Sequence, residues 1–241
     1  MRIAVVGGTG LVGREVVSRL EDPVVIARST GVDVVSGEGL DAALEGVEAV
    51  IDVTNTTAPD ARAFFDAATT TLLAAEARAG VRHHVVLSIV GVDRVAGNTH
   101  YEGKLRQEEL ALAGPIPATI VRATQYHDYG AMIAGWTRDG DSATIPPLLV
   151  QPIAVSDLAA VLVEVAMGEG RDEVLDVAGP EPQDLVDMTR RTLAARGETV
   201  RLVPRWGGAF PVAMAGEALL PGPDARIAPT TFEQWLSGSH A

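Results

Sequence analysis

The sequence contains no cysteine, which excludes disulfides, thiolate nucleophiles and cysteine-ligated metals. Aromatic residues make up only 4% of it, so a core must be built from Val, Leu, Ile and Ala within a hydrophobic share of 47%. Basic residues are scarce: 19 Lys and Arg against 32 Asp and Glu leave a formal net charge of −13. A surface this acidic repels phosphate backbones and anionic lipid. It argues against nucleic-acid or membrane partners but leaves room for a local basic pocket that holds one phosphate. No apolar run reaches the roughly 18 residues of a spanning helix. The first apolar run is short and ends in glycine, unlike the core of a secretory leader. The expectation is a soluble, cytoplasmic protein. There is no HExxH or His/Asp cluster, so no metal site is expected. The GxSxG of a hydrolase elbow and the GK[ST] of a P-loop are also missing.

What is present begins at Arg2. The run Arg2-Ile3-Ala4-Val5-Val6 is apolar and β-branched, and Gly7, Gly10 and Gly13 follow it at GxxGxxG spacing. Apolar residues at helical spacing come next (Leu11, Val12, Val16, Val17, Leu20). This reads as a buried strand, a tight turn and the start of a helix, which together make a pyrophosphate site. Gly7 lets the chain turn, Gly10 lets backbone approach the phosphates, and Gly13 lets helix and strand pack closely. The free N–H groups of the first helical turn then face the anion.

Strands are expected at 24–27, 32–35, 49–53, 85–87, 119–121, 150–155, 174–177 and 199–203. Helices are expected at about 40–44, 60–79 (capped by Gly80), from about 104 to 112, 156–166 (capped by Ser156-Asp157), 182–195 and 232–236. His83-His84 would sit at the entrance of a strand. With no linker and no internal repeat, the chain reads as one domain over 1–241. Its class is α/β, a Rossmann-type doubly wound parallel sheet. A small C-terminal substrate-side lobe comes mainly from about 125–150 and 178–241.

Arg28 directly follows the 24–27 strand, where the adenosine ribose lies in such folds. An acidic residue there suits a 2′-hydroxyl and an arginine a 2′-phosphate, so Arg28 tilts the cofactor toward NADP, with NAD the alternative; a plain surface arginine is the other reading. Three further residues form a candidate catalytic set: Ser88 at a strand end, Tyr101, and Lys104 one helical turn later. A phenol exchanges a proton with a carbonyl oxygen if its pKa is lowered, and a nearby ammonium lowers it. A serine hydroxyl can hold the same oxygen. Taken singly, each has a plainer role, Lys104 for instance pairing with Glu108 four residues on.

At this point the chain resembles a family. Gly7-Gly8-Thr9-Gly10-Leu11-Val12-Gly13, the arginine after the second strand, Val85-Val86-Leu87-Ser88 and Tyr101-Glu102-Gly103-Lys104 resemble the atypical short-chain dehydrogenase/reductases, most nearly the NmrA-like NAD(P)-binding branch. Thr119-Ile120-Val121-Arg122-Ala123-Thr124-Gln125, Val155-Ser156-Asp157 and Ala178-Gly179-Pro180 extend the resemblance over nearly the whole chain. It implies that Gly7, Thr9, Gly10, Leu11, Val12 and Gly13 line the pyrophosphate and that Arg28 faces the adenosine phosphate. Glu38 would lie beside the adenine, Thr54 and Asn55 would flank the ribose, and Ser88 and Lys104 would lie near the nicotinamide. The chain departs from typical members in having Tyr and Lys three apart instead of four, and Ile89 in place of a second serine.

The function expected is an NAD(P)-dependent oxidoreductase acting on a small hydrophobic or aromatic carbonyl, enone or quinone-like substrate. Gln125, His127, Trp136 and Met214 are the candidate pocket wall. The alternatives are a non-catalytic NADP(H) sensor and a tailoring enzyme performing an oxygenation or non-hydride step on an aromatic metabolite. The partner expected is a small molecule, and the protein a monomer or homodimer.

Overall fold

A computed structural model describes residues 1–238. The chain runs β1 (Ile3–Val6), α1 (Leu11–Val17), β2 (Val24–Ile26), α2 (Leu40–Ala43), β3 (Ala49–Asp52), α3 (Ala61–Ala79), β4 (His83–Ile89), α4 (Thr99–Leu112) and β5 (Ala118–Ala123). It continues through α5 (Tyr129–Trp136), β6 (Arg138–Asp139), β7 (Ser142–Ile145), β8 (Leu149–Val150), α6 (Val155–Met167), β9 (Glu173–Ala178), β10 (Gln183–Asp184), α7 (Leu185–Ala195), β11 (Arg201–Pro204), β12 (Arg226–Ile227) and α8 (Phe232–Gly238).

Seven strands form the central sheet in the order β12-β9-β5-β4-β3-β1-β2, and every neighbouring pair is parallel. From β1 the chain steps outward to β2 on one side and then to β3 on the other. That reversal places a crevice at the carboxyl ends of β1 and β3, where open α/β sheets bind ligands. Alternation along β1 explains both layers. Ile3 and Val5 pack with Val12, Val16, Leu158 and Leu162 under α1 and α6, whereas Ala4 and Val6 pack with Leu40, Leu72 and Ala75 under α2 and α3. A separate apolar cluster joins Val92, Val95 and Tyr101 to Ile133, Ile145, Leu185, Met188, Met214 and Phe232, in the segments after β4 and β5.

Five expectations are corrected. Residues 32–35 form no strand: Asp33 Oδ1 accepts from the N–H groups of Val35 (2.7 Å) and Ser36 (3.1 Å), and this side-chain turn takes the donors a ladder would use. β2 is therefore the sheet edge. His83 and His84 lie inside β4 and not ahead of it, and both are buried. Of 150–155, only Leu149–Val150 forms a strand, because Pro152 lacks a donor for a ladder. Ser156-Asp157 does not cap α6, whose N-cap is Ala154. Asp157 instead accepts the Thr230 N–H at 3.0 Å, tying the C-terminal segment to α6. α4 also begins earlier than expected: Asn98 caps it by accepting the N–H of Tyr101 at 3.0 Å, while its amide donates to the Ala209 carbonyl at 2.8 Å.

Candidate active site

The glycine turn closes β1 onto α1. Gly7 has φ +79°, and a Cβ there would stand 3.0 Å from the Val53 carbonyl oxygen, so the turn touches the end of β3. A Cβ on Gly13 would lie 2.2 Å from the Gly7 oxygen, which fixes glycine as the residue that lets α1 approach so closely. Gly10 differs: its only near neighbour would be the Gly7 oxygen at 3.3 Å, and it is exposed beside Thr9 and Leu11. Leu11 is 53% exposed, and the α1 N-cap Gly10 offers no side-chain cap. Val12 and Gly13 are buried. The turn thus presents open backbone donors and a bare apolar side chain to the crevice.

Arg28 opens a short turn directly after β2 and is exposed, with no hydrogen bond or ion pair of its side chain among the described residues. Glu38 is exposed in the loop ahead of α2. Thr54 and Asn55 follow β3. The Thr54 N–H donates to Asp52 Oδ1 at 2.8 Å, and Asn55 is exposed.

Ser88 lies near the carboxyl end of β4, 3% exposed, with no hydrogen-bond partner for its hydroxyl among the described residues. Thr124 and Gln125 follow β5 at the same end of the sheet. Both are buried; Thr124 Oγ1 is likewise unpartnered among the described residues, while the Gln125 amide faces the Tyr101 phenol. Sealed polar atoms are normally paired, so two such hydroxyls mark a place where something else supplies the partners.

Tyr101 lies in the first turn of α4 and Lys104 in the next. Burial pushes the Tyr101 phenol up to about 12, opposed by the adjoining Gln125 amide. This corrects the expectation of a phenol lowered by Lys104: Tyr101 stays protonated at neutral pH. It packs with Val92, Ile133 and Met214. Lys104 does not pair with Glu108, because Arg122 claims that carboxylate through both oxygens, Nε at 2.9 Å and Nη2 at 2.6 Å. Its Nζ donates to Gln107 Oε1 at 2.5 Å and lies 4.8 Å from the centre of the Phe65 ring. Gly103 brings α3 this close, since a Cβ there would meet Ala61 and Phe65 atoms at 2.9 Å. Burial lowers the Lys104 ammonium to about 8, with Asp52 and Glu108 opposing.

The expected pocket wall separates. Gln125 adjoins Tyr101, and Met214 shares its apolar cluster. His127 faces the C-terminal segment: its Nε2 donates to the Thr230 carbonyl at 3.1 Å, and its ring lies against Phe232 and Trp235. Trp136 stands apart at 65% exposure. Cavities of about 270 and 470 Å³ open among the strand beginnings, beside Arg82, His83 and Glu169, at the other end of the sheet.

No family model matches the chain. A short-chain dehydrogenase/reductase superfamily protein from Agrobacterium tumefaciens, solved with bound NAD, matches with a TM-score of 0.70 at 19% identity, over 99% of this chain and 96% of that one. An NADPH-dependent quinone oxidoreductase from Escherichia coli, solved with NADPH, gives 0.76 at 15% identity over 99% and 100%. These likenesses show the fold. A curated protein of Streptomyces griseus, the (4-alkanoyl-5-oxo-2,5-dihydrofuran-3-yl)methyl phosphate reductase, is 35% identical over 226 residues, spanning 83% of this chain and 75% of that protein. The chain belongs to the atypical short-chain dehydrogenase/reductases.

Two neighbours of Lys104 were not legible in the sequence: Asp52 and Gln107 are 55 positions apart and meet only when α4 packs beside α3 and β4. One signal did lie open in the sequence. Lys104 is its only lysine, and every other basic Lys/Arg position is arginine. Arginine suits bidentate and surface pairing, whereas a compact ammonium fits a closed interior site.

Proposed function

We propose that this short-chain dehydrogenase/reductase is an NAD(P)-dependent reductase of small conjugated carbonyl compounds: enones, quinone-like rings or unsaturated keto-lactones. The observation that carries the reading is the pair of buried hydroxyls on Ser88 and Thr124, unpartnered among the described residues, beside Gln125 and Tyr101 and at the same end of the sheet as the glycine turn. Buried polar groups left unpaired cost about 1–3 kcal/mol each, a cost that a bound ligand would offset. The family supports the redox class. The Streptomyces griseus relative supports the substrate class, since its named substrate places a ring C=C bond beside an alkanoyl group and a ring carbonyl.

In this reading Gly7, Thr9, Gly10, Leu11, Val12 and Gly13 hold the pyrophosphate. Arg28 takes a 2′-phosphate, which favours NADP over NAD, and Glu38 lies toward the adenine. Thr54 and Asn55 flank a ribose, and Ser88 and Lys104 lie toward the nicotinamide. A reduced nicotinamide bound there supplies a hydride. Ser88 donates a hydrogen bond to the substrate oxygen and orients it. Tyr101, protonated up to about pH 12, gives that oxygen a proton as negative charge develops on it. A phenol raised this far is a weak acid: it donates a hydrogen bond to the oxygen across the neutral range and releases its proton only as charge develops there. Gln125 and Met214 line the substrate side, and His127 and Trp136 belong to the lobe that supports it.

The test is oxidation of NADPH and NADH against a panel of enones, quinones and alkanoyl dihydrofuranones, with and without a phosphate. Turnover of one conjugated carbonyl class with NADPH is the expected result. Tight NADP(H) binding with no turnover on any member would replace this reading by that of a nucleotide sensor. Binding of neither nucleotide would remove it.

A further inference from the structure

The one lysine of the chain makes its one hydrogen bond among the described residues to a neutral amide. Gln107 is fully buried in α4. Its Oε1 accepts from Lys104 Nζ at 2.5 Å, and its Nε2 donates to Asp52 Oδ2 at 2.8 Å and approaches Thr54 Oγ1 at 3.4 Å. The other Asp52 oxygen is taken by the Thr54 N–H at 2.8 Å. Donor chemistry sets the direction of this amide: Lys104 can only donate and ionised Asp52 can only accept, so the amide must turn its carbonyl to one and its NH₂ to the other. Gln107 also occupies the space between a buried ammonium and a buried carboxylate that would otherwise meet.

We propose that Gln107 is a positioning residue that aims Lys104 at the ribose of the nicotinamide cofactor and keeps Asp52 from capturing the ammonium in an ion pair. This rests on the reading above that Lys104 faces the cofactor. An ammonium has three N–H donors. Gln107 takes one, and the Phe65 ring covers another side as a cation–π neighbour. The remaining donor stays available to a ribose hydroxyl. A direct pair with Asp52 would turn it inward.

The groups around Lys104 leave Gln107 in control of it. From β3 there is Asp52, and behind it the buried pair Glu76 and His84, both of which couple to Asp52. From α4 there are Glu108, whose two oxygens are held by Arg122, and His100, which burial and the ammonium keep neutral at about 4. From α3 the facing group is the Phe65 ring.

Two substitutions separate positioning from bulk. Gln107→Glu sets a carboxylate against Nζ, whereas Gln107→Met keeps the volume and removes the acceptor. With lysine ¹³C-labelled at Cε, the single lysine gives a single side-chain signal, and its titration in the cofactor-free protein reads the ammonium directly. The expected result is a titration moved upward in Gln107→Glu and downward in Gln107→Met, each by about one pH unit, because an added charge favours the ammonium and a lost acceptor disfavours it. NADPH affinity at pH 7, from fluorescence, should fall about tenfold in both, the worth of one well-aimed hydrogen bond. Two folded variants that titrate and bind like the wild type would overturn the proposal. So would a common loss of melting temperature with the lysine titration unmoved, which marks a packing role. If Gln107→Glu does not fold, the downward shift in Gln107→Met decides alone. If Lys104→Met binds NADPH as well as the wild type does, the placement of Lys104 at the cofactor fails and this inference fails with it. That outcome is distinct from unresponsive Gln107 variants in a protein whose binding does depend on Lys104.

Discussion

Glu76 of α3 and His84 of β4 meet inside the protein with both side chains fully buried, Nδ1 lying 2.9 Å from each carboxylate oxygen. The second ring nitrogen of His84 has no partner. Burial raises the Glu76 carboxyl, with His84 opposing, while the nearby Glu76 charge and hydrogen bond hold His84 above its usual range against its own burial. Breaking such a pair leaves one uncompensated polar group, whereas removing both does not. Glu76→Leu should therefore cost about 3–5 kcal/mol in denaturant unfolding, and the double variant with His84→Leu should recover most of that. Additive losses would contradict the pairing.

Gly10 and Gly13 should respond differently to a side chain. Gly10→Val sets a Cβ 3.3 Å from the Gly7 carbonyl oxygen, its only near neighbour, so the protein should fold with a modestly lowered melting temperature yet lose more than about 100-fold in nucleotide affinity, because the phosphate approach is filled. Gly13→Ala drives a Cβ into the Gly7 carbonyl and should lower stability as well as binding. Calorimetry of binding with thermal melts on both variants checks the contrast. A Gly10→Val protein that binds normally removes the pyrophosphate site.

Tyr101→Phe removes a proton donor buried beside Gln125. The reductive kcat should fall about 10²–10⁴-fold while the NADPH dissociation constant stays unchanged. Because the phenol holds its proton up to about pH 12, no loss of reductive rate between pH 6 and 9 should trace to it. Stopped-flow rates across that range test both statements, and an unchanged kcat would show that the proton comes from elsewhere.

Burial of Lys104 makes stability depend on pH. Its ammonium titrates near 8 in the folded protein against an ordinary 10.5, so between those values the unfolded chain binds more protons. The folded state therefore carries a penalty below about pH 8, and that penalty lifts as pH rises toward 10.5. Its full size is on the order of 3 kcal/mol. Urea unfolding from pH 7 to 10 should show the wild type gaining stability relative to Lys104→Met. Parallel profiles would mean that the lysine is not desolvated.

Arg28 should discriminate between the two dinucleotides. Arg28→Ala is expected to weaken NADPH about tenfold and leave NADH almost unchanged, since one exposed charge-assisted contact to a phosphate is lost. Isothermal titration of both nucleotides decides it, and equal losses would assign Arg28 to neither.

Local signals carried much of this molecule. The glycine spacing announced the turn, and the β-branched runs announced β1, β3, β4 and β5. The same cue failed at residues 32–35, where the side chain of Asp33 competes with a ladder for the backbone donors. Ser88, Tyr101 and Lys104 were legible as residue types in sequence order. Their surroundings were not, because Tyr101 owes its raised pKa to burial among segments far along the chain, and Gln107, the partner of Lys104 one turn on, owes its own partner Asp52 to the packing of α4 beside α3 and β4. Gln107 reads in sequence as one more polar residue in a charged helix, and only its contacts distinguish it.

A chain with one lysine, and that one enclosed, has a surface almost without primary amines. Acylating reagents, aldehyde fixatives and amine-directed cross-linkers would meet no exposed lysine side chain, and the enclosed one is 4% exposed. If the proposed site holds the cofactor there, protection of that amine by NADPH would report occupancy without any turnover.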